Sequence, residues 1–282
     1  MLSETLETTL RRAAAKQLHR FEQLRTADFA DPEVIHDLRV ALRRLRSIWR
    51  IAEEMGDRQA RKLRRRARRQ ALALGTVRDL DVLILRVESD RVEGHVGGAE
   101  ADEWVAALRQ RRDDAVAEAR DVLASEKSER WLEKTGRWAA VPDDGPSVEA
   151  SAEAEADCWR EELGRHIVGH ARSVLGRCPP ADDDEQHLLR IEVKRLRYLL
   201  EFFKGRVPRS ASAIKSLVFV QDVLGEARDR RAAAALAVEA GLEAYSAWLE
   251  SGASDGVDRA VVRAQRTAER LVRDWGAGDS GW

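Results

Sequence analysis

The chain of 282 residues contains no asparagine, only two cysteines and only six prolines. Each shortage excludes something. Cys158 and Cys178 build no disulfide framework and match no CxxC metal spacing, which points to a reducing compartment, the cytoplasm. No stretch approaches the roughly 20 apolar residues that a membrane-crossing helix needs, and the first residues lack the apolar region of a secretion signal. Neither insertion nor export is expected. Without asparagine, and with little glutamine, the chain is poor in side chains that read base edges. Its eight tryptophans do not alternate with arginines as stacking platforms would, so nucleic acid is not the expected partner. There is no glycine-rich phosphate loop, no Ser-His-Asp order with supporting strands, and no carboxylate cluster to hold metal for phosphoryl transfer. His166 and His170 stand at i, i+4 but lack the acidic context of a zinc helix. No enzyme, cofactor or metal site is expected.

What the chain does hold is alanine, leucine, arginine and glutamate in long intervals between prolines, the composition of strong helix formers. It is 44% hydrophobic and 35% charged. The fold class is all-α. Asp31 followed by Pro32 reads as an N-cap and first turn, and turn signals recur at 141–147, 176–185, 204–210 and 251–256. Between them helices are expected near 3–27, 32–55, 58–74, 77–92, 100–125, 147–175, 184–204, 209–224, 227–250 and 256–275.

Charge is balanced overall, 49 Lys and Arg against 50 Asp and Glu, but not along the chain. Residues 1–70 hold 18 basic and 10 acidic residues, and "RQARKLRRRARRQ" (58–70) holds eight basic residues and no acid. The segment "VIHDLRVALRRLRSIW" (34–49) is also cation-rich, with Asp37 its only acid.

An internal repeat explains part of this pattern. "HDLRVALRRLRSIW" from residue 36 aligns without gaps on "HLLRIEVKRLRYLL" from residue 187. Further on, Leu74, Gly75, Arg78 and Asp79 of "LALGTVRDLDVL" fall on Leu224, Gly225, Arg228 and Asp229 of "DVLGEARDRRAA". Two copies of one helical unit follow: residues 1–140, a linker at 141–147, and residues 148–282. Each Gly-x-x-Arg-Asp reads as a helix end, with the aspartate capping the next helix and the arginine bracing neighbouring chain.

At 100° per residue, His36, Arg39, Arg43, Arg46 and Arg50 share an arc about 80° wide. Leu38, Ala41, Leu42, Leu45, Ile48, Trp49 and Ala52 form the opposite, core-facing side. In the second copy His187, Arg190, Lys194 and Arg197 repeat the four basic angles, while Arg50 becomes Glu201. In the run 58–70, treated as one helix, Leu63, Ala67, Ala71 and Leu74 face inward and Arg61, Arg65, Arg68 and Arg69 face away. Lys215 aligns with Arg65, and Phe219 replaces Arg69. Cations in a row repel one another and a polyanion relieves the repulsion. A merely solubilising face has no reason to keep histidine and cations at matching angles twice.

These segments, with "HLLRIEVKRLRYLLEFF" and "QDVLGEARD", resemble the CHAD family, the conserved histidine α-helical domain, over nearly the whole chain. The resemblance implies one domain of two pseudo-symmetric four-helix-bundle-like halves. It also implies a basic groove or pore, lined from both halves, that binds inorganic polyphosphate without catalysis, with a place on polyphosphate granules. Carried over by position, the binding residues are His36, Arg39, Arg43, Arg46, Arg50, His187, Arg190, Lys194 and Arg197, with Arg65, Arg69 and Lys215 added from the following helices. A nucleic-acid-binding module and, behind it, a metal-dependent phosphohydrolase are the alternatives. The sequence sets no oligomeric state.

Overall fold

The computed structural model describes residues 6–141, 152–205, 207 and 210–276, and among these it contains eleven α-helices and no strand. They run in the order α1 Leu6–Leu24, α2 Pro32–Glu54, α3 Arg58–Arg66, α4 Arg68–Val92, α5 Ala99–Ala124, α6 Glu126–Ala139, α7 Ala152–Leu175, α8 Asp183–Phe202, α9 Ser210–Glu239, α10 Glu243–Ser251 and α11 Val257–Gly276. The all-α expectation holds. Sequence signals for several helix starts are seen as atoms: the Asp31 carboxylate accepts from the Glu33 amide at 2.9 Å, and Asp182 accepts from the Glu185 amide at 2.8 Å. Such caps satisfy amides that the first turn leaves without a helical acceptor.

The chain divides into two compact units. One comprises α1 to α6 together with residues 236–245. Here α1 packs on α2, α2 on α3 and α4, α4 on α5, and α6 on α1 and α3. The predicted inward side of α2 is buried throughout, including Leu38, Leu42, Leu45 and Ile48. Its Trp49 meets Trp131 and Trp138 of α6 edge-on at 5.9 and 6.5 Å, and Phe21 of α1 meets Trp131 at 5.5 Å. Such aromatic pairs add about 0.5–1.5 kcal/mol each beyond burial. Trp138 also donates its Nε1–H to Asp57 at 2.7 Å. The same Asp57 caps α3 by accepting from the Gln59 and Ala60 amides, so the start of the arginine-rich helix is tied to the aromatic core. Asp81 of α4 is closed inside by Arg112 of α5 at 2.5 Å. Buried Asp90 accepts from Tyr245, which draws residues 236–245 onto this unit.

The second unit comprises α7, α8, most of α9, the rest of α10 and α11. Helix α7 packs on α8 and α11. Gly164 permits a close approach there, since a Cβ at that position would lie 3.1 Å from the Trp275 ring. Leu189, Val193, Leu196 and Leu200 of α8 are fully buried, with Leu217, Val220 and Leu224 of α9.

Three helix assignments need correction. Gly75 and Gly225 do not end helices, because each lies inside one, α4 and α9. The actual breaks fall at Ala67, between α3 and α4, and at 240–242, where Gly241 takes φ 74° in the left-handed region that glycine tolerates. Helix α6 occupies a stretch to which no helix is assigned from sequence. Its Ser125 caps the first turn, and Trp131, Leu132, Thr135, Trp138 and Ala139 give it a buried side. Residues 142–147 of the expected linker lie outside the described residues.

Candidate anion-binding site

In the first unit the basic side of α2 emerges beside α3 and α4. His36, Arg39, Arg46 and Arg50 are half-buried and Arg43 is exposed. The lone acid of this segment does not neutralise the row: Asp37 is held by Arg20 of α1 at 2.6 Å. Arg39 lies flat against α4 at Gly75, where a Cβ would approach its Nη1 to 2.9 Å. It reaches exposed Asp79, one turn on, at 3.5 Å. The glycine therefore seats an arginine against a helix backbone. The Asp79 expected as a helix cap is a partner of that arginine instead, and it stands inside α4, where no helix begins.

Arg46 is the centre of this cluster. Burial pushes its guanidinium pKa down, and Arg64, Arg68 and Arg39 push it further. Its Nε–H is buried and meets no acceptor among the described residues. Arg64 is steered by Glu53 of α2, to which it donates at 2.9 and 2.7 Å, and Arg61 joins the same carboxylate at 3.4 Å. Arg78 of α4 likewise has a buried Nη1 with no acceptor among the described residues. The predicted Arg65 and Arg69 are both exposed, and neither is among the cations acting on Arg46. Arg64 and Arg68, four residues apart, are the cations of this segment that act on Arg46. A signal for Arg64 was present in the sequence: it stands four residues after Ala60, which is fully buried, so it belongs to the rim of the packed side.

In the second unit His187, Arg190 and Lys194 of α8 are half-buried, and the structure adds Arg228 of α9. Burial lowers the pKa of His187, and Arg228, Arg190 and Lys194 lower it further against the opposing pull of Asp184. These groups therefore share one neighbourhood. The His187 Nδ1 is buried with no hydrogen-bond partner among the described residues. Arg190 repeats the seat of Arg39, since a Cβ on Gly225 would lie 3.3, 3.5 and 3.8 Å from three atoms of its guanidinium. Arg197, the equivalent of Arg46, is differently engaged: Glu201 accepts from it at 3.0 Å and its guanidinium stacks on Tyr198 at 4.5 Å. Lys215 is exposed on α9. Arg64 and Arg68 have the apolar counterparts Ile214 and Val218, so this cluster has fewer cations.

Chemically, each cluster offers planar guanidinium forks, fixed by packing, to an anion with several oxygens. Among the described residues there is no group of three or more His, Cys, Asp or Glu side chains placed to hold a metal ion. No described helix is long and apolar enough to cross a membrane.

Fold and site together define an all-helical protein that repeats one basic helix, its first-turn histidine and the glycine that seats its first arginine. The CHAD domain pattern matches residues 9–238, and the chain belongs to the CHAD domain family. Two solved structures share the fold. The CHAD domain from the plant Ricinus communis aligns with a TM-score of 0.66 at 21% identity, covering 99% of this chain and 94% of that one. PptA from Streptomyces chartreusis aligns with a TM-score of 0.63 at 17% identity, covering 94% and 99%. No curated protein matches the sequence.

Proposed function

We propose that this protein binds inorganic polyphosphate without catalysis, through the α2–α3–α4 cluster of the first unit and the α8–α9 cluster of the second, and that it works on polyphosphate granules in the cytoplasm. One observation carries the reading. Polar nitrogens are buried at both clusters, Arg46 Nε, Arg78 Nη1 and His187 Nδ1, and none of these atoms meets a hydrogen-bond partner among the described residues. A buried donor left unmet costs about 1–3 kcal/mol, more when charged, and a chain of phosphates meets many such donors at once. Membership of the CHAD family and the twice-built arginine seat point the same way.

The mechanism is electrostatic and geometric. Arg39, Arg43, Arg46, Arg64 and Arg68 grip non-bridging oxygens in one unit, and Arg190 and Arg228 do so in the other. Lys194 adds a point charge. His36 and His187 add hydrogen bonds, and that of His187 strengthens on protonation. Ordering a flexible polyanion displaces condensed counterions, so affinity falls steeply with salt.

Titration of fluorescently labelled polyphosphate at several salt concentrations tests this reading. Tight binding with a steep negative salt dependence is expected, and a flat response overturns it. Displacement by single-stranded or duplex nucleic acid at equal phosphate concentration would favour a nucleic-acid module instead. Phosphate release on adding Mg²⁺ or Mn²⁺ would make the protein a hydrolase.

A further inference from the structure

The strongest charge feature outside these clusters lies on α11, beyond the segment that the family pattern matches. Arg259, Arg263, Arg266 and Arg270 recur at i, i+4, i+7 and i+11, which at 100° per residue confines them to an arc about 60° wide. With a rise of about 1.5 Å per residue the ladder is about 16 Å long. It borders an open groove of about 580 Å³ that Ser216 of α9 also lines. The first three arginines are exposed and Arg270 is half-buried.

No ion pair among the described residues engages this ladder. The acid nearest in sequence after Arg266, Glu269, accepts from Gln265 at 2.9 Å. Asp258 lines the groove beside Arg259, but among the described residues no ion pair joins a carboxylate to any of the four guanidiniums. Arg263 stacks on Phe219 at 4.7 Å, which fixes the middle of the ladder in place. Phe219 is the residue that stands where the first unit has Arg69, so in the second unit the ring on α9 supports an arginine of α11.

We infer that the α9–α11 groove is a second binding site, and that its ligand is a linear inorganic phosphate chain. Four like charges in a groove call for an anion at least as long as the ladder. The Phe219 ring is covered by Arg263, so a nucleobase finds no open stacking platform. Val262 is the exposed apolar side chain of the groove, so an amphipathic acidic peptide gains little by burial. A phosphate chain needs neither. The inference rests on the polyphosphate reading for its ligand, but on entirely separate residues.

The test is arginine-selective labelling with phenylglyoxal, mapped by mass spectrometry on the full chain, with and without long-chain polyphosphate. Arg259, Arg263, Arg266 and Arg270 are expected to label several-fold more slowly with polyphosphate present. That protection should survive in a variant carrying R39Q, R43Q, R46Q, R190Q, K194Q and R228Q. Unchanged labelling on α11 while the α2 and α8 arginines are protected overturns the second site and leaves the proposed function intact. No protection anywhere overturns both. Protection by poly-glutamate and not by polyphosphate assigns the groove to an acidic protein and also overturns the inference. The variant R259Q/R263Q/R266Q/R270Q keeps good helix formers at every position, and its helical circular dichroism checks folding. If α11 binds, its salt dependence should be shallower by about 3 in log–log slope, at roughly 0.7–0.9 per lost contact.

Discussion

The glycine that seats Arg39 separates function from stability in one substitution, Gly75→Ala. In the interior of a helix, alanine is favoured over glycine by about 1 kcal/mol. The added methyl would lie 2.9 Å from Arg39 Nη1, and that atom is the far end of a flexible side chain, which swings aside at small cost. The swing also breaks the Arg39–Asp79 pair, but at 3.5 Å with Asp79 75% exposed such a pair contributes less than about 1 kcal/mol. The net expectation is a protein as stable as the parent or up to about 1 kcal/mol more stable, a rise of about 2–4 °C at most in Tm. Binding moves the other way. A hydrogen bond to a charged group contributes about 1.5–3 kcal/mol. Displacing Arg39 without deleting it forfeits part of this, so polyphosphate affinity should fall by about three- to tenfold, or about 0.7–1.4 kcal/mol. Gly225→Ala should act in the same sense but more weakly, since its methyl would meet Arg190 at 3.3 Å. Thermal unfolding and fluorescence titration at one salt concentration measure both quantities. A clear loss of stability in Gly75→Ala with unchanged affinity would refute the reasoning, because the glycine would then serve helix packing.

Three further outcomes follow from the same geometry. The pKa of His187 lies below its ordinary 6.5, through burial and then Arg228, Arg190 and Lys194, with Asp184 opposing. The folded state therefore binds this proton less readily than the unfolded one, and stability is lost as pH falls below about 6.5. His187→Gln should flatten that acid-side loss in pH-dependent denaturation, and polyphosphate binding near pH 6 should take up a proton in the parent but less in the variant, as calorimetry in buffers of different ionisation enthalpy reads. Asp81→Ala leaves Arg112, only 14% exposed, without its carboxylate. A cost of about 3 kcal/mol in urea unfolding is expected, with polyphosphate affinity unchanged, and a neutral result would show that Arg112 finds another partner. Glu201→Gln releases Arg197, 16% exposed, from its 3.0 Å ion pair. It should lower stability by about 1 kcal/mol and tighten polyphosphate binding at low salt, with the gain vanishing at high salt.

What the sequence made legible was whatever depends on one helix at a time. The buried and basic sides of α2 and α8 follow from periodicity, and the repeat pairs His36 with His187 and Arg39 with Arg190 before any coordinates. Gly75 and Gly225 were illegible because a glycine followed by Arg-Asp has the same local form at a helix end as in mid-helix. The deciding fact is the arginine that fills the space of the missing side chain, and it comes from a helix about 36 residues away in sequence. The break between α3 and α4 was hidden for another reason. Helix α3 breaks at Ala67, an ordinary residue with φ −65° and ψ −5°, and neither proline nor glycine marks it. Helix α6 did carry a signal, the i, i+4, i+7 spacing of Trp131, Thr135 and Trp138, all buried.

The two units keep the same seat and differ in what surrounds it. In the first, Arg46 is crowded by Arg39, Arg64 and Arg68, and the crowding is tolerated because Glu53 holds Arg64 and Arg61 while Asp79 reaches Arg39. Acids placed on the flanks of the row let the central guanidinium stay buried and charged. In the second, the equivalent Arg197 is answered directly by Glu201 and Tyr198, and the positions of Arg64 and Arg68 are apolar, so less repulsion is stored there. Repulsion stored in the bare protein is what a polyanion relieves, so the first unit should supply the larger share of the salt dependence. Neutralising Arg39, Arg43 and Arg46 should therefore flatten the salt response more than neutralising Arg190, Lys194 and Arg228, although each set removes three cations. Equal slopes would mean that the ligand counts charges without responding to how tightly the fold compresses them.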